Sequence, residues 1–209
     1  MALVKYNNNS ISAVTSAASI PSGAMTHIKT LTASSSASLS FVHGSSDVVL
    51  DSTYPIYKFD FINIHPANNL VQFQFNMSTD SGSNYNVTKT TTIFVALHDS
   101  TGSSGLTYRT NQDLAQGTGF QSLSSDVGNL DDDSVSGSLY LFSPSSTTFV
   151  KHFTATTNRK AVFAGTIYLE TTFIAGYGNT TSAIDGVRFQ FNTSNTDSGK
   201  IKLYGIKDS

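Results

Sequence analysis

The 209-residue sequence lacks several residue types on which protein chemistry often depends. It has no cysteine, which excludes disulfide frameworks, zinc–thiolate sites and thiol nucleophiles. It has no tryptophan and a single glutamate, Glu170. Charged residues make up 12% of the chain, about half of the roughly 25% usual in globular domains. No long apolar run replaces the missing charge, so a membrane-spanning helix is not expected. With so few charged residues, a long coiled coil and a charged disordered tail are not expected either.

The charge and the first residues also bear on partners and location. A formal net charge of -2 gives no basic field to attract nucleic acid, so neither nucleic acid nor a membrane is an expected partner. Met1 to Tyr6 do not form the basic head and apolar stretch of a secretory signal. We therefore expect a protein that is made and left in a cytoplasm.

Alternation of apolar and polar residues dominates from residue 25 onward. Val71, Phe73 and Phe75 alternate with polar residues, and similar runs recur up to the C-terminus. Period-two patterns rich in Phe, Val, Ile and Thr are typical of β-strands with one buried face. The best helix candidate, residues 111–116, is cut short by Gly117. The pattern predicts an all-β protein.

Similar segments recur in the same order in two parts of the chain. They suggest that two related halves, about 25–100 and 134–209, make up the domain 25–209. Val71–Asn76 recurs as Val187–Asn192, and Ile28–Ala33 resembles Val150–Ala155. We expect one antiparallel β-sandwich of jelly-roll type, with two fused small sandwiches as the alternative. The segment 101–133 would be a long excursion between the halves, and such loops are usually functional or form interfaces.

Residues 1–24 form a predicted N-terminal arm rich in Ser, Ala and Asn. Apolar side chains are scattered through it, and the candidates for contact are Leu3, Val4, Tyr6, Ile11, Val14 and Ile20. We expect the arm to dock against a neighbouring subunit or its own domain, the alternative being a free tail. From the excursion, Tyr108 and Phe120 are further interface candidates.

The sequence carries no convincing catalytic or metal-binding motif. The five histidines lack ligand spacing, and Asp131–Asp133 fits a solvated acidic turn better than a calcium loop. Glu170 is expected on an outer strand face, which leaves glycosidase chemistry without its paired carboxylates. No cofactor, no metal and no catalytic residue is predicted.

The last residues predict a hairpin whose two strands are 187–192 and 199–206. Arg188, Lys200 and Lys202 are expected on one outward side of it, with Tyr204 close by. This basic strip could meet an acidic partner, or it could protect an edge strand against aggregation. Arg188, Lys200, Lys202 and Tyr204 complete the candidate interface residues.

Two segments resemble known proteins. Ile184–Phe189 followed by Ser198–Lys207, with its Gly-Lys-Ile-Lys-Leu-Tyr-Gly-Ile-Lys run, is similar to the ending of structural proteins from marine tailed bacteriophages. Val135–Phe153 is similar to another stretch that recurs there. The resemblance covers the C-terminal third well and implies a virion component, either a head decoration or part of a tail or fibre. It carries over no binding or catalytic residue.

The expected function is therefore contact within a virion. We expect self-association, with a trimer favoured, together with contacts to other virion proteins. The alternative is a module that binds carbohydrate or a receptor at a fibre tip, with a host surface glycan as ligand. An enzyme is not expected, since it would need two acids, or a histidine and an acid, to converge in one cleft.

Overall fold

A computed structural model describes residues 24–163 and 165–208, and this part of the chain contains twelve β-strands and no helix. The strands are Met25–Thr32 (β1), Leu39–Val42 (β2), Ile56–Pro66 (β3), Val71–Ser78 (β4), Lys89–Asp99 (β5), Ser104–Tyr108 (β6), Gln121–Val127 (β7), Val135–Phe142 (β8), Lys151–Phe163 (β9), Thr166–Gly178 (β10), Gly186–Phe191 (β11) and Thr196–Ile206 (β12). The helix considered for residues 111–116 is wrong, since this segment forms turns and loop.

The strands form two antiparallel sheets packed as a β-sandwich, as the alternation predicts. The large sheet has the order β1-β12-β3-β8-β9-β10-β5-β6, and the small sheet has the order β2-β11-β4-β7. A jelly roll has eight strands in all, whereas here the large sheet alone has eight. The jelly-roll assignment therefore stays a prediction.

Phenylalanines from both sheets meet in the core. Phe189 on β11 lies at the centre, with the rings of five other phenylalanines 5.1–6.3 Å away between centroids. These five are Phe41, Phe59, Phe61, Phe73 and Phe75. All six rings are buried, and most of the pairs meet edge-on or tilted, as aromatic quadrupoles favour. Alternate residues of each strand thus supply the core.

Both sheets combine strands of the two predicted halves, which is the arrangement expected of one sandwich. The echoing strands β4 and β11 are neighbours, and Gln74 opposes its counterpart Gln190 in the ladder. Six pairs of strands can be exchanged: β1 with β6, β2 with β7, β3 with β10, β4 with β11, β5 with β12, and β8 with β9. After this exchange, each sheet shows the same strand order when it is read from its opposite edge. The strand order therefore has an approximate two-fold symmetry.

This symmetry differs from the predicted halves in two respects. It pairs β1 with β6, whereas the sequence echo matched β1 with β9. The segment 101–133, expected as a loop excursion, contributes β6 to the large sheet and β7 to the small one. A duplication of the chain stays a prediction.

The C-terminal strands do not form the predicted hairpin. β11 joins the small sheet between β2 and β4, while β12 joins the large sheet between β1 and β3. Arg188 therefore lies on the outer face of the small sheet, and Lys200 and Lys202 lie on the outer face of the large one. The predicted basic strip is wrong, because its cations lie on opposite faces of the sandwich.

Candidate functional site

The outer face of the large sheet exposes apolar side chains near β6. Strand register places Phe94 of β5 between Tyr108 of β6 and Phe173 of β10, and the Phe94 and Phe173 rings stack 5.0 Å apart. Leu106 and Leu169 lie on the same face, and Leu106 is 71% exposed. We call Phe94, Leu106, Tyr108, Leu169 and Phe173 the β6 face. Apolar side chains exposed together on one sheet face are typical of interaction surfaces.

The free edge of β6 presents unpaired backbone groups. Asp99 N–H donates to Ser103 O, and Arg109 N–H donates to Ile93 O, which fixes the alternation of the ladder. The N–H and C=O groups of Ser104, Leu106 and Tyr108 therefore point away from β5. No strand of residues 24–163 or 165–208 pairs with this edge. The β6 segment, Ser-Gly-Leu-Thr-Tyr, has no charge and no proline to discourage pairing.

A buried ionic cluster lies on the inner side of the same end of the sheet. Glu170 of β10 is paired with Arg159 of β9 at 3.1 Å and with Arg109, the residue after β6, at 3.3 Å. Arg159 also donates to the backbone oxygen of Asp126 at 3.0 Å. Glu170 is 2% exposed, so its expected place on an outer face is wrong. The cluster ties β6 to β9 and β10.

An open cavity of about 500 Å³ adjoins this cluster. Its walls include four mainly apolar side chains and four charged ones, namely Leu70, Leu97, Val162, Tyr168, Arg109, Asp126, Arg159 and Glu170. Arg109 Nε is buried and has no hydrogen-bond partner in the described part of the chain. The cavity therefore combines apolar walls with a guanidinium group whose bonding is incomplete.

Two buried lysines donate hydrogen bonds to acceptors on nearby segments. Lys89 donates to Val87 O at 2.7 Å and to Asn76 Oδ1, and burial lowers its pKa to about 7. Lys151 donates to the backbone oxygens of Ser146 and Phe149 at 2.6 and 2.7 Å, and burial lowers its pKa too. Each amine therefore fastens nearby loops to the inner face of the large sheet.

The acidic turn and the histidines show no metal-site geometry. Lys160 pairs with Asp132 at 2.6 Å and with Asp133 at 3.0 Å, and it lowers the pKa of Asp132. Asp99 accepts bonds from Thr101 and Ser103 within its own turn. Among residues 24–163 and 165–208, no three histidine or acidic side chains cluster as metal ligands would. Within these same ranges, no helix is long and apolar enough to cross a membrane.

The structure scatters the predicted interface residues. Those of the arm (Leu3, Val4, Tyr6, Ile11, Val14 and Ile20) lie outside the described residues. Tyr108 lies on the β6 face, and Phe120 is half-buried just before β7. Arg188 stacks over Tyr85 at 3.9 Å and donates to Ser40, so it is held within the small sheet. Lys202 and Tyr204 are half-buried, and Lys200 is exposed, near the β1 edge.

Sequence reasoning missed the ionic cluster and most of the β6 face. Arg109 and Glu170 are 61 positions apart, and no local pattern connects them. Parity puts Glu170 on the strand face of Ile174, a core residue, but it was not decisive, because Phe173 lies on the other face. Comparison with protein families, with curated proteins and with solved structures finds no match to the chain.

Proposed function

We propose that this protein is a structural component of a bacteriophage virion that works by self-association and contacts with other virion proteins. The observation that carries the proposal is the β6 face together with its free, uncharged edge. The resemblance of residues 135–153, 184–189 and 198–207 to phage structural proteins supports the same conclusion. A protein of this kind needs surfaces for contact and does not need a catalytic centre.

The partner at the β6 edge is a second copy of the chain. Antiparallel pairing about Leu106 would place Ser104 of each copy opposite Tyr108 of the other. The outward N–H and C=O groups of both strands would then be satisfied. The β6 faces would lie side by side across a two-fold axis, which is the commonest symmetry of protein assemblies. Because β6 carries no charge, like-charge repulsion between the paired strands is absent.

The test compares the oligomeric mass of the native chain with that of Leu106→Lys by light scattering after size exclusion. We expect the native protein to associate and Leu106→Lys to lower the mass, because lysines would face each other across the pair. Leu130→Lys is the matched control, since Leu130 is 59% exposed and lies in the loop between β7 and β8. Its mass should equal that of the native chain.

The measured mass also separates the forms of assembly. Pairing through β6 gives dimers, whereas the trimer favoured by the sequence needs another contact. Antibody labelling of phage particles tests the virion role itself. The proposal would be overturned if the native chain is monomeric at high concentration and the antibody labels no phage particle.

A glycan-binding role at a fibre tip is the second candidate. A shallow depression on the outer face is lined by Tyr177 and His152, whose rings lie 6.1 Å apart. The amide of Gln116 contacts the Tyr177 hydroxyl at 3.4 Å, and Asn179 donates to Gln116. An aromatic ring beside amides offers both stacking and hydrogen bonds to a sugar. A glycan array should show binding that Tyr177→Ala abolishes; no hit for the native chain would remove this candidate.

A further inference from the structure

The cavity beside Glu170 has the size and lining of a ligand site. Its volume of about 500 Å³ falls within the roughly 300–1,000 Å³ usual for small-molecule pockets. Leu70, Leu97 and the ring of Tyr168 give it mainly apolar walls. The polar groups gather around Arg109 and Glu170. A ligand that fits must therefore have an apolar body and a polar end.

The charges favour an anionic polar end. Arg159 is occupied, since Nε and Nη2 contact Glu170 and Nη1 donates to Asp126 O. Arg109 contacts Glu170 through Nη2 alone, and its buried Nε has no partner among the described residues. Glu170 is thus shared by two guanidinium groups, which leaves one positive charge uncompensated within the cluster. A carboxylate suits the forked donors of arginine.

The other charged group of the lining limits the choice of anion. Asp126 is exposed to solvent, so its negative charge is screened more strongly than the charges of Glu170 and Arg159. A phosphate dianion would meet two carboxylates with only one arginine to hold it. A single carboxylate matches the surplus of one positive charge.

Backbone strain at the same cavity gives independent support. Leu70, which lines the cavity, has a φ of 56°. The left-handed region is unfavourable for a bulky residue such as leucine, and strained residues concentrate at functional sites. Leu70 is also 63% exposed, so its side chain gains little from the core. A ligand with a hydrocarbon body would cover it.

We propose that this cavity binds a small carboxylic acid with an apolar body. Its carboxylate accepts hydrogen bonds from Arg109, and its hydrocarbon part contacts Leu70, Leu97 and Tyr168. This site is separate from the β6 edge, because it lies on the inner side of the sheet and does not involve Leu106.

Calorimetric titration with octanoate tests the proposal, using octanol and inorganic phosphate as comparison ligands. We expect saturable octanoate binding, with octanol and phosphate each at least ten-fold weaker. Arg109→Gln should weaken octanoate at least ten-fold, because the variant loses both the charge and the fork. Lys202→Gln, which removes a cation from the outer face, is the matched control and should bind as the native chain does.

Each departure from these results overturns the proposal. Absence of saturable octanoate binding removes the site, and octanol binding equal to octanoate removes the role of Arg109. Tighter binding of phosphate than of octanoate assigns the cavity to another class of ligand. Should Arg109→Gln fail to fold by circular dichroism, the octanol comparison on the native chain still decides.

Discussion

The two edges of the large sheet are equivalent in strand order but differ in chemistry. β1 contains Lys29 and has an irregular register between His27 and Lys29, and both features discourage pairing with another strand. β6 has neither feature, and all five of its residues are exposed. One edge is therefore protected against pairing, whereas the other is open in the part of the chain that the structure describes.

The two edges are also held in place by different forces. Ile28 and Leu31 of β1 pack against the apolar core. Among residues 24–163 and 165–208, β6 makes no such contact, and Arg109 at its end pairs with Glu170 instead. Apolar burial therefore stabilises the protected edge, whereas a buried ionic cluster stabilises the open one. This difference leaves the apolar side chains of β6 free to face outward.

Glu170→Ala should produce the largest loss of stability. The substitution leaves the guanidinium of Arg159, which is 5% exposed, buried without its counter-ion. Breaking a buried pair from one side costs about 3–5 kcal/mol. Urea denaturation should show a decrease of this size in the free energy of unfolding. The substitution should also increase the rate of amide hydrogen exchange more in β6 than in β1.

Asp60→Ala is the control for this prediction, since Asp60 pairs with Lys58 at 2.9 Å on a partly exposed face. Pairs of that kind contribute about 0–1 kcal/mol. Equal losses in the two variants would mean that the Glu170 cluster does not hold the open edge.

β5, the strand next to β6, carries a buried lysine, whereas the lysines of β12, the strand next to β1, are not buried. The buried lysine predicts that the free energy of unfolding depends on pH. Lys89 on β5 is buried, and its pKa is about 7 in the folded chain against 10.5 when unfolded. As pH falls from about 10 to 7, the unfolded chain takes up the proton first. The free energy of unfolding should therefore decrease by about 1.4 kcal/mol per pH unit, and the contribution should level off below pH 7.

Lys89→Met removes this contribution. The difference in unfolding free energy between the native chain and this variant therefore separates the contribution of Lys89 from those of other titrating groups. Groups other than Lys89 are present in both proteins, so their contributions cancel in the difference. The difference in unfolding free energy between native chain and variant should change with pH between about 7 and 10. A constant difference across that range would show that Lys89 keeps an ordinary pKa.

The class of fold was predictable because alternation is a local property. Val71, Phe73 and Phe75 share one strand face wherever the strand lies, so the run itself shows that half of it is buried. The sheet that each strand joins depends on distant partners. β11 and β12 follow one another and alternate alike, yet β11 pairs with β4 and β12 pairs with β3. No feature of the connecting turn distinguishes this crossing from a hairpin.

The candidate site was less predictable, because its residues come from separate strands. β10 has large apolar residues on both faces, such as Phe173 outside and Ile174 inside. Parity alone therefore could not say which face Glu170 occupies. The position of Arg109 depends on the pairing of β6 with β5, in a segment that the sequence suggested was a loop. Long-range pairing, rather than composition, creates both the cluster and the β6 face.

Alanine substitutions at the two edges should differ in their effect on stability. Ile28→Ala removes apolar contacts with the core and should cost about 1–3 kcal/mol, given that the residue is only partly buried. Leu106→Ala on β6 should change the free energy of unfolding by less than about 0.5 kcal/mol, because its side chain is exposed. The unfolding experiment should be run on dilute monomer, where pairing of copies contributes nothing. Equal losses would show that β6 is packed as β1 is.

Removing the charge from the protected edge should have the smallest effect on folding and still change assembly. Lys29→Thr should alter the free energy of unfolding by less than about 0.5 kcal/mol, since Lys29 forms no ion pair in the described part of the chain. A chain with two open edges can add copies at both ends, so light scattering should rise steadily with concentration. The double variant Lys29→Thr and Leu106→Lys has only the β1 edge open to pairing. Its assembly should therefore stop at dimers. Unchanged scattering in Lys29→Thr would mean that the irregular register, rather than the charge, protects β1.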